Sequence, residues 1–384
     1  MLADIVAVFA GLIVGIVSGL FPGFHTNLVA VIVAGVHADV WLASIFLISV
    51  AVSRSVVDAV PAVFLGASEE VMALLPGHRL LRKGYGVEAV KFCVLGSILG
   101  LMAGILLIPL FTLVFPALFS LIRPLLFWIL LALVVILFAR DSLWALAVFT
   151  LAGALGMLAL ESVREPLFPL LSGLFGASGL LLSLFNKVEI PIQFNTDVLR
   201  MRKVPLFLSV LTGVLAGSIV TLFPGLGPSQ AAALAQVKRA KSVSYLVLTG
   251  AIGTVDVLIS LVTFFALSKA RNGAVVVIEQ LLGTVSQSTL FFLVAVACVA
   301  AGFAAIAALC ISKWYAALVE TVDYFWISST VLVVLLTMSF LLSGWLGVLI
   351  FLTATAIGII APLTNVSRSH AMGCLLLPTL ILVW

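Results

Sequence analysis

Long apolar runs follow one another along almost the whole chain, at about 5–36, 40–75, 91–116, 117–139, 143–160, 166–185, 205–236, 243–268, 274–311, 314–342, 345–361 and 370–384. A run of ~20 apolar residues is what a helix needs to cross a bilayer. In hydrocarbon every backbone polar group must find its partner within the protein, so only helices and closed barrels span. Barrel strands would read as ~10-residue segments of alternating polarity, and these runs do not alternate. The sequence therefore predicts an all-α, polytopic integral membrane protein with about ten to twelve helical segments, multi-pass in the cell membrane. Composition agrees: 64% of the 384 residues are apolar and 9% charged, against ~45–50% and ~25% in soluble domains.

A net charge of +4 does not point to nucleic acid in such a chain; it reflects Lys and Arg in cytoplasmic loops. Cys93, Cys298, Cys310 and Cys374 each lie in an apolar run and read as core hydrophobes rather than disulfides or metal ligands. The opening MLADIVAVFAGLIVGIVSG carries an acid and no basic flank, so a retained membrane segment is expected.

An internal repeat organises the chain. GIVSGLFPGFHTNLVA at 15–30 aligns with GSIVTLFPGLGPSQAA at 217–232 at a shift of 202, which superposes Leu20-Phe21-Pro22-Gly23 on Leu222-Phe223-Pro224-Gly225. A second echo, Val57-Asp58 with Val255-Asp256, falls at a shift of 198. The expected division is a first membrane repeat at 1–190, a polar linker at 191–204 and a second repeat at 205–384. Proline removes a backbone donor and clashes with the preceding turn, so each Pro-Gly breaks its helix. Paired broken helices in two halves are the sequence pointer to a transporter's site; the plainer reading is a kink.

Charge decides how the copies face. Arg200, Arg202 and Lys203 precede the second copy, and Lys238, Arg239 and Lys241 follow it, whereas no Lys or Arg precedes Arg54 around the first. The positive-inside rule then puts the second copy's flanks in the cytoplasm and the first copy's outside. Two inverted repeats are expected, each contributing a re-entrant helical hairpin that dips toward the midplane.

The break and alanine-rich helix at 217–232, with LFPLLSGLFGASGLL at 167–181 and VSRSHAMGCLLLPTLIL at 366–382, resemble the TctA family, the permease subunit of tripartite tricarboxylate transporters, in an archaeal-type branch. The resemblance implies an organic anion as substrate, a small membrane subunit and an extracellular binding protein as partners. Phe24-His25-Thr26-Asn27 stands where that family usually has Leu-Gly.

The hairpin tips supply the substrate-binding candidates: Pro22, Gly23, His25, Thr26 and Asn27 in the first copy, and Pro224, Gly225, Gly227, Ser229 and Gln230 in the second. Free N–H groups and the positive dipole end at the start of each second half-helix favour an anion; simple capping uses the same residues. Asp58 and Asp256 are the ion-coupling candidates, since an ionisable group inside a membrane span is costly to keep. Arg54 lies four residues from Asp58 on one face and, like Arg368, is assigned a structural or gating role. No catalytic or metal-binding residue is assigned, and no cofactor is expected beyond Na⁺ or H⁺ as coupling ion.

These readings converge on a secondary active transporter, not an enzyme, moving an organic anion (a carboxylate) held between two hairpin tips and coupled to Na⁺ or H⁺. A translocase for an anionic lipid carrier such as a polyprenyl phosphate is the alternative. A channel is third. The Gly176-Ala177-Ser178-Gly179 segment leaves intramembrane serine proteolysis as a remote one, with His370 the only later histidine. Membrane lipid is the other expected partner, and the oligomeric state stays open, a homodimer among the options.

Overall fold

The computed structural model describes residues 2–21, 26–35, 39–64, 77, 79–138, 142–163, 165–185, 191–194, 201–223, 227–235, 242–321 and 324–383. Among them it is all helical, with nine helices long and apolar enough to cross a membrane and three shorter apolar ones. The first half runs α1 (Leu2–Leu20), α2 (Thr26–Gly35), α3 (Val40–Val57), α4 (Ala59–Phe64), α5 (Gly86–Leu106), α6 (Ile108–Ile122), α7 (Leu126–Phe138) and α8 (Leu143–Ser162). It ends in α9 (Leu167–Leu171), a π-helical turn (Ser172–Ala177) and α10 (Ser178–Phe185). The second half runs α11 (Lys203–Val220), α12 (Pro228–Ala235), α13 (Ser242–Leu267), α14 (Gly273–Leu282), α15 (Gln287–Thr321), α16 (Tyr324–Leu363), a 3₁₀ segment (Arg368–Met372) and α17 (Gly373–Val383).

The apolar run 274–311, too long for one span, divides into α14 and α15 at Gly283, whose φ of 67° caps α14. Two polar segments bound α14: Asn272 caps its start through the Ala274 N–H, and Gly283 to Ser286 separate it from α15.

Packing in the two halves follows the sequence repeat. Gly11 and Gly15 of α1 bring its backbone against Phe46, Ser49, Val50 and Ser53 of α3. Their mates Gly213 and Gly217 bring α11 against Leu248, Ala251, Ile252 and Val255 of α13. Every pair is shifted by 202, and residue numbers rise together on both helices, so α1 runs parallel to α3, and α11 to α13. The shift of 198 for Val57-Asp58 is therefore not the packing register. At 202 it is Arg54, not Asp58, that takes the place of Asp256.

The halves also clasp each other. Helix α5 packs along α13, with Gly96 against Val247, Gly100 against Ala251 and Gly104 against Leu258. Thr254 Oγ1 donates to Ser97 O at 2.8 Å, and Ser97 Oγ to Gly250 O at 3.1 Å. Helix α15 runs beside α3 and α4 in reciprocal fashion, with ring pairs Trp41–Phe292 and Phe64–Tyr315. Toward the chain ends, Gly156 meets Cys374 and Gly373 meets Phe149, while Gly358 meets Leu174 and Gly173 meets Phe351. One core joins α3, α5, α13 and α15; a second joins α8, the π-turn, α16 and α17. Buried glycine contacts of this kind let helix backbones approach closely where lipid gives no hydrophobic drive.

The mid-chain polar stretch is docked. Gln193 accepts the Gly86 N–H at 2.9 Å and donates to Leu81 O at 3.1 Å, and Phe194 N donates to Gly84 O at 2.7 Å.

Candidate functional site

Both Phe-Pro-Gly motifs fall between helices. Helix α1 stops at Leu20, and Phe21 N still donates to Val17 O. Helix α2 starts at Thr26, whose side chain is buried. In the second copy α11 stops at Val220; Leu222 and Phe223 tighten the end by donating to Ile219 O and Val220 O. Gly227 then accepts from Ala231 N as α12 begins at Pro228, a position where the missing proline N–H costs nothing. Pro22, Gly23, His25, Pro224 and Gly225 lie outside the described residues, as do the side chains of Asn27, Ser229 and Gln230.

Asp256 has a fully specified setting. It is part-buried on α13, where its Oδ2 accepts from Asn272 Nδ2 at 2.9 Å and its Oδ1 stands 3.2 Å from Thr221 Oγ1. Ser260, one turn further along α13, accepts the backbone N–H groups of both Arg271 and Asn272, at 2.9 and 2.8 Å. Glu279 of α14 accepts from Ala270 N at 2.7 Å. The chain beyond Leu267 therefore folds back ~10 Å along α13 to Ser260, at 1.5 Å per helical residue, before α14 begins. Helix α14 in turn lies against α2 and α3. Asp256 thus joins Thr221, which immediately precedes the second Leu-Phe-Pro-Gly, to a short helix leaning on the one that follows the first.

Thr221, Ser260 and Asn272 were not legible as site residues. Thr221 stood beside the repeated motif, and Asn272 in front of Gly-Ala-Val-Val-Val was a readable N-cap; their meeting at Asp256 was not.

The other candidates are dispersed. Arg54 is part-buried late in α3, where Gly19 approaches its backbone, and Asp58 N donates to Arg54 O. Arg368 is part-buried in the 3₁₀ segment, which packs against α8, α16 and α12. His370 is fully buried and stacks on Phe138 at 5.4 Å. Ser178 is fully buried, and its hydroxyl donates to Leu174 O at 2.7 Å beside Gly358. A nucleophilic serine needs a base within hydrogen-bond reach, so the protease alternative is overturned. Among the described residues no group of three or more His, Cys, Asp or Glu could hold a metal ion.

Among the described residues the chain is a multi-pass helical membrane protein with a part-buried carboxylate at Asp256. The family model of the tripartite tricarboxylate transporter TctA family matches residues 5–373, and the chain belongs to that family. It is a transporter and not an enzyme. It is also 27% identical to an uncharacterized protein, MJ1079, of Methanocaldococcus jannaschii, over 97% of this chain and 96% of that one. No solved structure matches it.

Proposed function

We propose that the protein is a secondary active transporter that moves a carboxylate-bearing organic anion, held between the two Phe-Pro-Gly breaks and coupled to Na⁺ or H⁺. The observation that carries this reading is a unit found twice: a spanning helix, a break at Leu-Phe-Pro-Gly, a short helix, and a spanning helix parallel to the first. Parallel α1 and α3 bring residues 2 and 40 to one side, so the intervening chain enters and leaves on that side. The same holds for residues 203 and 242. Each unit is then a re-entrant hairpin, and backbone free of helix is tolerated in a membrane only within protein or against a water-filled cavity.

Packing also supports an inverted relation between a first repeat at 1–190 and a second at 205–384, joined by 191–204. The loop at 268–272 turns inward along α13 and α14 returns beside it, with Glu279 reaching Ala270, so α15 starts on the side where α13 ends. Because α15 runs parallel to α3, α3 and α13 run in opposite senses. Cysteine-accessibility labelling, with the native cysteines replaced, is expected to find residues 37 and 39 on the outer face and 83, 202 and 239 on the cytoplasmic face. Labelling of 39 and 239 from one side would make the repeats parallel.

The tips bind substrate through Thr26, Asn27, Ser229, Gln230 and His25, and through N–H groups at Gly23, Gly225 and Gly227 beside Pro22 and Pro224; Arg54 and Arg368 serve as gating or structural cations. The family's name makes a carboxylate the first probe, with a small membrane subunit and a binding protein as partners. Each of Thr26→Ala, Asn27→Ala and Ser229→Ala is expected to weaken citrate binding by ~1–2 kcal/mol, about tenfold, the scale of one hydrogen bond to a charged group. Isothermal titration of the purified variants checks this. Unchanged affinity in all three leaves those residues as helix caps only.

A further inference from the structure

The hydrogen-bond arithmetic at Asp256 selects the coupling ion. Thr221 Oγ1 has a single hydrogen. It stands 2.6 Å from Gly217 O and 3.2 Å from Asp256 Oδ1. Gly217 O is a carbonyl and can only accept, so the shorter contact takes the hydrogen, in the usual threonine bond to the carbonyl four residues back. What faces Asp256 Oδ1 is then a hydroxyl lone pair. Two oxygens at that distance attract only when a proton or a cation lies between them.

Hard cations take about six oxygen ligands, and two side-chain oxygens near Asp256 already accept backbone N–H groups. Asn272 Oδ1 accepts from Ala274 N, and Ser260 Oγ from Arg271 N and Asn272 N. Asn272 turns its Nδ2, a donor, toward Oδ2, which accepts it in either protonation state. Among the described residues no charged side chain is hydrogen-bonded to Asp256. Helices α6 and α12 carry no Asp, Glu, Lys, Arg or His. The nearest elements otherwise bring Lys203 on α11, Arg54 and Asp58 around α3, Glu88 and Lys91 on α5, and Lys313 and Glu320 on α15. Lys269, Arg271 and Glu279 belong to the loop and α14, where Arg271 interacts with Glu279. Among the described residues, Asp256 Oδ1 lies against the Thr221 hydroxyl and its Oδ2 against the Asn272 amide.

We infer that the coupling ion is a proton, carried on Asp256 Oδ1 and donated to Thr221 Oγ1, with Asn272 positioning the other oxygen. This deepens the transport reading above and rests on it, but its test needs no substrate and no gradient. In the transport cycle the O–H bond of Asp256 breaks and the proton passes to water on one side; the carboxylate left behind is reprotonated from the other.

The test is an infrared difference spectrum of the full chain in lipid vesicles, wild type minus Asp256→Asn, recorded as a function of pH. A protonated-carboxyl carbonyl band that belongs to Asp256, disappears as pH rises and does not respond to added NaCl is expected. Absence of that band at every pH, or its loss on adding Na⁺ at fixed pH, overturns the inference. Thr221→Val, which keeps the shape and removes the hydroxyl, gives a signed second readout. If Asp256 donates, the variant loses a bond made by the protonated form, and the band's midpoint falls by about one pH unit, a tenfold loss of proton affinity. If Thr221 donates to a carboxylate instead, the midpoint rises, and the assignment is wrong. Should Thr221→Val not fold, the wild-type spectrum and its indifference to Na⁺ still decide. A failure of uptake in transport assays, with this spectrum as expected, counts against the transport reading and not against the proton.

Discussion

Reconstituted Asp256→Asn protein is expected to fold normally and to exchange substrate downhill, yet to accumulate none against a gradient. The reason lies in the two contacts of the carboxyl. Asn272 Nδ2 needs an acceptor at Oδ2, and Thr221 Oγ1 presents a lone pair at Oδ1. An asparagine amide meets both, its oxygen toward Asn272 and its NH₂ toward Thr221. The substitution therefore copies the protonated acid and keeps α14 tied to α13, where an alanine would leave Asn272 without its acceptor at a cost of ~1–3 kcal/mol. What the amide cannot do is release a proton.

The measurement is uptake of radiolabelled citrate into vesicles with an imposed pH gradient, beside counterflow without one. Wild-type accumulation with a variant reduced to the background rate, and counterflow within about twofold of wild type, is the expected pattern. Full gradient-driven uptake by Asp256→Asn would remove the coupling role and send the search to the carbonyls at the two breaks. Asp58→Asn is expected to be the milder change. Asp58 is not in the packing position of Asp256, and its proximity to Arg54 gives it a structural partner in sequence.

Much of this architecture was legible because it is written in local chemistry. The apolar runs gave the spans, and α1 and α11 end at Leu20 and Val220, just ahead of the two matched prolines. What failed to show was whatever depends on distant contact. Hydropathy is blind to a turn between two apolar helices, so the run 274–311 does not itself show that it divides at Gly283. Identity of residue type misled in one place. Asp58 echoes Asp256 in sequence, but glycine contacts along α1 and α11 set the register at 202 and put Arg54 there instead. At that register the first half carries a cation where the second carries a carboxyl. Asn272 reaches Asp256 only because the chain folds back along α13, and no periodicity encodes that return.

Gly250→Val is expected to be strongly destabilising. A Cβ at Gly250 would stand 2.0 Å from Cys93 O, and one at Gly96 would stand 2.0 Å from Val247 O. Both obstacles are backbone atoms, so no rotamer change makes room and α5 must move away from α13. Overpacking of this kind costs ~1–3 kcal/mol. Separation also breaks the Ser97–Gly250 and Thr254–Ser97 bonds, each worth roughly 0.6 kcal/mol between membrane helices. A loss of about 3 kcal/mol is large against the ~5–15 kcal/mol that holds a typical protein folded. Thermal melting in detergent, followed by size-exclusion of the surviving protein, measures it. Gly302→Ala on α15 is the control: nothing lies within 4 Å of its Cβ, and removing a mid-helix glycine is expected to leave stability unchanged or raise it by roughly 0.5–1 kcal/mol. A Gly250→Val protein that melts with wild type would mean that α5 and α13 do not touch through these glycines. The clasp between the halves, and with it the setting of Asp256 only six residues further along α13, would then need another basis.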